Sequence, residues 1–468
     1  MRKRFSARLI LNLLAVVCFL SWGSSAHAQV LEDRLRGSVP SGPAAPGRLS
    51  LSLRDAVDRA LKNNLASLLS REDERAANAK RLQDRAELFP KLDAFVASEQ
   101  RQLNLAALGF GGFPGVHQVI GPFAFYDARA TLSQPLVDFE LRHNLRQSTE
   151  TQKAVTLGNA NTRELVVLAA VDLYFRVVSS QSRVTAVEAQ LARAAVLHTR
   201  AVDMKDAGVI PGIDVLRAQV EQRSLEQRLI QARNIVQKDK LDLARVIGLP
   251  LDQDFALADS LPLEGNTVPS LAQLLETAFA RRSDYLAMEA RVRAADEDVR
   301  AAKARKLPSL GFNADYGVNG RTPSNLHGTY SVRVEVRMPI FDGSIDTEAG
   351  EREAFVRQRQ AERDSLRGRI EQDVRSALLD LQSEEERLRV ARESLGLARQ
   401  QLDQAQDRFS AGVASNLEVV QAQEAVALGD EGVIQSLYGL NIARAHLARA
   451  TGSAERAIPE FFPGSTTK

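Results

Sequence analysis

Residues 330–343 read Tyr330-Ser331-Val332-Arg333-Val334-Glu335-Val336-Arg337-Met338-Pro339-Ile340-Phe341-Asp342-Gly343. Tyr330, Val332, Val334, Val336 and Met338 alternate with Ser331, Arg333, Glu335 and Arg337, and a period of two sends the first set to one face of a strand and the second to the other. Pro339 closes that pattern. From Asp342 the apolar residues recur at helical spacing as far as Ser410, a run that would extend roughly 100 Å as one helix. Globular domains seldom need such a rod, whereas a coiled coil or a helical tube does.

The same plan occurs 204 residues earlier. Tyr126 precedes Tyr330 by that interval, Pro135 precedes Pro339, Asp138 precedes Asp342, Gly208-Val209 precedes Gly412-Val413, and Gly248 precedes Gly452. A spacing held from Tyr126 to Gly248 with no net insertion marks a duplicated structural unit. The first copy is expected over 51–248, with strands about 91–104 and 123–135, long helices about 138–205 and 214–248, and a tip at 206–213. The second is expected over 271–452, with strands about 309–319 and 328–339, long helices about 342–410 and 416–451, and a tip at 411–415. Each opens with a helix, one starting near Ser52 and ending before Pro90, the other starting at Ser270 and running to Lys306 before Pro308. An irregular segment (29–50), a polar linker (249–270) and a tail (453–468) complete the chain.

The termini and composition narrow the setting. Arg2, Lys3, Arg4 and Arg8 precede the apolar run Leu9–Leu20, and Ala26-His27-Ala28 makes a cleavage site, so 1–28 is expected to be a secretory signal peptide; a retained anchor is the alternative. The one cysteine, Cys18, lies inside it, with Val17 too large for a lipoprotein site, so no disulfide, thiolate metal site or lipid anchor is expected. Of 468 residues 44% are apolar and 26% charged, the formal net charge is +2, and acidic and basic residues are mixed along the helices; no nucleic-acid stripe emerges. The six histidines show no ligand spacing, and neither a phosphate loop nor a nucleophile with its base appears; no catalytic residue, cofactor or metal is expected.

Beyond the leader no apolar run is long enough for an ordinary membrane helix, so a membrane-spanning role would fall to strands. Tyr126, Ala128, Leu132, Leu310, Phe312, Tyr316, Tyr330, Val332, Val334 and Val336 are the residues that would face lipid, with charges toward a wet lumen. A sheet half-buried on a water-soluble core is the alternative. Four strands cannot close a useful barrel, and lipid tolerates no open edge, so a membrane reading requires several chains to share one barrel.

The segments Leu51-Ser52-Leu53-Arg54-Asp55-Ala56 with Ala60-Leu61-Lys62-Asn63-Asn64, the corner Pro339-Ile340-Phe341-Asp342-Gly343, and the tips Ala207-Gly208-Val209 with Ile213-Asp214-Val215 and Ala411-Gly412-Val413 with Leu417-Glu418-Val419 resemble the TolC-like outer membrane efflux protein family over nearly all of the mature chain. The resemblance implies an internally duplicated protomer, mostly α-helical with membrane β-strands. It implies a homotrimer whose twelve-stranded β-barrel in the outer membrane is continuous with a twelve-helix periplasmic α-barrel. It further implies a passive exit duct without catalytic residues, which docks on a periplasmic adaptor and, through it, on an inner-membrane pump. Type I protein secretion is an alternative use; a simple porin leaves the rods unexplained, and a periplasmic scaffold leaves the strands unexplained.

Two sets of residues are candidates for a specific task. Gly208, Val209, Ile213, Gly412, Val413 and Leu417 are placed to dock an adaptor, or to do no more than close the helical hairpins. Asp203 and Asp407 stand at matched positions before the tip glycines, either as a lumen constriction selective for cations or as part of a solvated helix face.

Overall fold

Each copy starts from a reciprocal cap. Ser52 accepts a hydrogen bond from the Asp55 backbone N–H (3.1 Å), and the Asp55 carboxylate accepts one from the Ser52 N–H (3.3 Å). Ser270 and Gln273 repeat the arrangement at 3.5 and 3.1 Å. Two backbone donors with no partner inside the helix are satisfied at each start.

The structure is a computed structural model that describes residues 33–40, 42–44, 46–105, 107, 117–259, 269–411, 413 and 415–461. The expected leader 1–28, the segment 260–268 of the linker, Gly412 and the tail after residue 461 lie outside the described residues. In chain order the elements are β1 (Leu49–Leu51), α1 (Leu53–Asn63), α2 (Leu65–Ala86), β2 (Lys91–Asn104), β3 (Val119–Val137), α3 (Phe139–Asp206) and α4 (Gly212–Ile247). They continue with β4 (Phe255–Leu257), α5 (Leu271–Arg281), α6 (Ser283–Ala304), β5 (Ser309–Gly320), β6 (Leu326–Arg337), α7 (Gly343–Ser410), α8 (Asn416–Ala450) and α9 (Ala454–Phe461).

Several of these differ from expectation. The helices opening at Ser52 and Ser270 are not continuous: Asn64 and Arg282 adopt extended backbone (ψ 136° and 115°), splitting each run in two. Both residues are nearly fully buried and both still donate their backbone N–H four residues back, to Ala60 and Ala278. The segments read as irregular and linker carry β1 and β4, which pair in parallel, Leu49 opposite Phe255 and Leu51 opposite Leu257. β3 begins at Val119 rather than 123, β6 spans 326–337 rather than 328–339, α4 starts at Gly212 rather than 214, and the tail holds α9.

The chain divides into two compact units. One comprises the described residues of Met1–Asp73, Leu157–Leu286 and Ser365–Lys468. Its largest apolar cluster joins α1 residues Val57 and Ala60 to Val166, Tyr174 and Phe175 of α3 and Leu243 and Ile247 of α4; a second surrounds Ile370, Val374 and Leu381 of α7, and a third surrounds Phe409 and Val419 near the second tip. α3 contains a stretch apolar enough by composition to cross a bilayer, but more than half of it is buried inside the chain. In this unit the return helices end on Gly248 and Gly452, left-handed at φ 73° and 69°. Each lies against the corresponding helix break, Gly248 on Asn63 and Gly452 on Arg281–Arg282.

The other unit, Glu74–Thr156 with Ala287–Asp364, contains one antiparallel sheet ordered β2-β3-β5-β6. The two copies meet in its centre, where β3 of the first pairs with β5 of the second.

Candidate functional sites: the two-faced sheet and the helix tips

Register decides which side chains share a face of the sheet. Leu132 lies opposite Leu92 and Ala314, and Ala314 opposite Val332. Ala130 connects Ala94 to Tyr316 and Tyr330 in the same way, and Phe312 and Leu310 lie opposite Val334 and Val336. Directly opposed residues in an antiparallel pair point the same way. All ten of Tyr126, Ala128, Leu132, Leu310, Phe312, Tyr316, Tyr330, Val332, Val334 and Val336 therefore stand on one face. That face is open on the edge strands, with Val96 at 86%, Tyr330 at 77% and Val336 at 68% exposure, and half-buried at Tyr126, Ala128 and Leu132 in the centre.

The opposite face is polar. Arg129 pairs with Asp315, approaches Asp127 at 3.5 Å, and donates to the Thr329 hydroxyl at 3.1 Å; Asn319 donates to the same hydroxyl at 3.5 Å. Gly317 lies opposite Arg129, and a Cβ there would come within 2.5 Å of the Ala128 carbonyl and 2.8 Å of the Arg129 Cα. β2 and β6 are the sheet's two edges.

The tips repeat down to single hydrogen bonds. The Val209 N–H donates to the Met204 carbonyl (2.8 Å) and the Val413 N–H to the Arg408 carbonyl (3.1 Å). The backbone carbonyls of Asp203 and Asp407 each accept from the alanine N–H four residues on, Ala207 and Ala411, at 3.0 Å. Gly208, at φ 75°, takes the left-handed conformation that ends α3. Val209, Ile213, Val413 and Leu417 are exposed, as are Asp203 and Asp407.

The two tips differ in charge and cap. Asp214, the acidic residue in the first turn of α4, is buried and accepts from Arg217 at 3.0 Å, while the cap residue is Pro211 and makes no side-chain bond. Its counterpart Glu418 is exposed and pairs with Arg408 at 3.4 Å.

One cluster in the helical unit escaped sequence reading. Arg282, at the second helix break, donates to Asp284 (3.0 and 2.7 Å) and to Asp373 (2.9 Å). Arg449 of α8 lies 3.2 Å from Glu164 and 3.9 Å from Asp284 and donates to Asn161 at 2.5 Å. Burial pushes the Glu164 carboxyl up and the Arg449 guanidinium down, each away from its charged form. Burial also acts against the Asp284 carboxylate, yet its hydrogen bonds from Arg282 hold it below its ordinary range. The one trace of this cluster in the sequence is an arginine where the first copy has Asn64. Burial likewise keeps two phenols protonated: Tyr174, donating to Asp259 at 2.9 Å, and Tyr438, donating to Asp172 at 2.7 Å. Among the described residues no group of His, Cys, Asp and Glu is placed to hold a metal ion.

The sequence model of a family described as "Outer membrane efflux protein" matches residues 56–249 and 274–453. Outer membrane protein OprJ of Pseudomonas aeruginosa is 26% identical over 425 residues, covering 86% of this chain and 84% of OprJ. The probable efflux pump outer membrane protein TtgC of Pseudomonas putida is 23% identical over 475 residues, 94% of each chain. The solved structure of the outer-membrane channel OprN superposes with a TM-score of 0.72 at 20% identity, covering 88% of this chain and 94% of that one. With a family match over both copies and a shared fold, this chain belongs to the outer membrane efflux protein family.

Proposed function

We propose that three copies of this chain close their sheets into one twelve-stranded barrel in the outer membrane, and that their long helices form a twelve-helix periplasmic tube. The assembly is then a passive exit duct of a tripartite efflux pump, joined to a periplasmic adaptor and through it to an inner-membrane transporter. The observation that carries this reading is the sheet: apolar on one face, charged on the other, with two unpaired edges. In hydrocarbon each unpaired backbone group costs several kcal/mol, so such a sheet is stable in a bilayer only when closed. The apolar face, including the ten residues named above, would meet lipid, and the Arg129 cluster would line a wet lumen.

At the tips, Val209, Ile213, Val413 and Leu417 offer exposed apolar side chains to an adaptor's helical hairpin, with Gly208 and Gly412 allowing the turns. Asp203 and Asp407 would give three chains six carboxylates for a cation-selective constriction. Membrane fractionation tests the barrel: a heat-modifiable trimer in the outer membrane supports it, and a soluble periplasmic protein overturns it. Capture of an adaptor by the wild-type chain, lost in a Val209→Asp, Val413→Asp variant that still forms the trimer, tests docking; undiminished capture overturns it.

A further inference from the structure

We propose that the seam between neighbouring copies joins β6 of one chain to β2 of the next in a single register, with Asp93 opposite the partner subunit's Arg337. This rests on the barrel reading above and adds to it the residues that meet. The sheet is antiparallel throughout, so β2 and β6 run in opposite directions and the seam is antiparallel as well.

Three filters act on the register. The first is face. Leu92, Ala94 and Val96 must continue the apolar face of Val334, Val336 and Met338; a one-residue slip would send charged residues to that side. The second is overlap. β2 spans 14 residues and β6 spans 12. Only two registers keep the faces aligned and also pair every residue of β6 with a residue of β2. The first sets Lys91 opposite Arg337 and Asp93 opposite Glu335. The second sets Asp93 opposite Arg337, Phe95 opposite Glu335 and Ala97 opposite Arg333.

The third filter is charge, and it separates these two. The first register opposes like charges twice, which is destabilising directly across a strand pair. The second opposes none and forms one attractive pair. Arg337 is already oriented by Glu335 of its own strand at 2.8 Å, and Asp93 has no ion-pair partner among the described residues. The second register also sets Leu92 against Met338, Ala94 against Val336 and Val96 against Val334, all on the apolar face.

Barrel geometry does not separate the two registers. A line across the sheet from Lys91 passes through Ser133 and Asn313 to Arg333, and Arg333 would then meet Ala97 of the next copy. From strand rise and spacing, that step tilts the strands by about 47°, near the range of about 35–45° typical of barrels. The rejected register gives about 35°, so tilt admits both and charge decides.

The only cysteine is Cys18, within the expected leader, which leaves the barrel free for engineered pairs. Asp93→Cys with Arg337→Cys, and separately Asp93→Cys with Glu335→Cys, are oxidised in purified outer membranes and run without reductant. The proposal expects covalent dimers and trimers several-fold more abundant with the first pair. A heat-modifiable trimer that cross-links better through the second pair, or through neither, overturns the register and leaves the barrel standing. Absence of any outer-membrane trimer from the unsubstituted chain overturns both. Should the cysteine variants assemble poorly, charge reversal replaces them: Arg337→Asp should weaken the trimer band, and Asp93→Arg added to it should restore the band. Failure of the restoration overturns the pairing.

Discussion

Replacing Gly452 by alanine should be far more damaging than the same change at Gly208, although both residues end a long helix in the same backbone conformation. Gly452 has φ 69° and Gly208 φ 75°, so each alanine incurs the left-handed cost of about 1–2 kcal/mol. The surroundings separate them. A Cβ on Gly208 meets nothing within 4 Å, whereas a Cβ on Gly452 lies 2.9 Å from the Arg281 carbonyl carbon and from the Arg282 N and Cα. Those are backbone atoms at a helix break, so no rotamer change relieves the clash, and overpacking adds about 1–3 kcal/mol. Gly452→Ala should therefore cost about 2–5 kcal/mol per chain against about 1–2 for Gly208→Ala. Urea titration of the helical circular dichroism signal in detergent reads the difference. Where unfolding is irreversible, half-life at a fixed temperature replaces it. Gly248→Ala should follow Gly452, because its Cβ would lie 2.4 Å from the Asn63 Cβ. Equal losses at positions 208 and 452 would refute the claim that these glycines seat the return helices on the helix breaks.

Three further outcomes are expected. Arg449→Met strands the buried Glu164 carboxylate and should cost about 3–5 kcal/mol, part of it recovered by adding Glu164→Gln, as a double-mutant cycle would show. Asp284 keeps its charge in the folded chain below its ordinary value of 3.8, so its contribution is complete above that pH and is lost as the pH falls through the lower folded value. Asp284→Asn should accordingly lessen the loss of thermal stability below about pH 4, measured by melts across that range. Asn at both 203 and 407 should reduce cation preference in planar bilayers, and unchanged selectivity would remove these carboxylates from the lumen.

Much of the architecture was legible because it rests on local rules. The alternation of Val332, Val334 and Val336 with Arg333 and Glu335 follows from strand period alone, and the long rods follow from uninterrupted helical spacing without proline. The helix breaks were hidden. Neither Asn64 nor Arg282 is a proline or a glycine, and each keeps its backbone hydrogen bond to the helix before it, so what distinguishes them is burial against distant chain. The buried charges Glu164 and Arg449 looked like members of an ordinary charged helix, since their partners lie hundreds of residues away.

By itself the sequence determined the duplication, which shows as matched residues at a constant interval, and the alternating strand faces and glycine-ended helices, which depend on residues close together in the chain. Tertiary structure alone decided that the copies meet through β3 and β5, that the lead-in and linker pair as β1 and β4, and that Arg282 and Arg449 share a buried charge cluster. Those choices depend on which backbone edges and which charges find partners across long loops. Period and propensity describe each segment and carry no information about its distant neighbour.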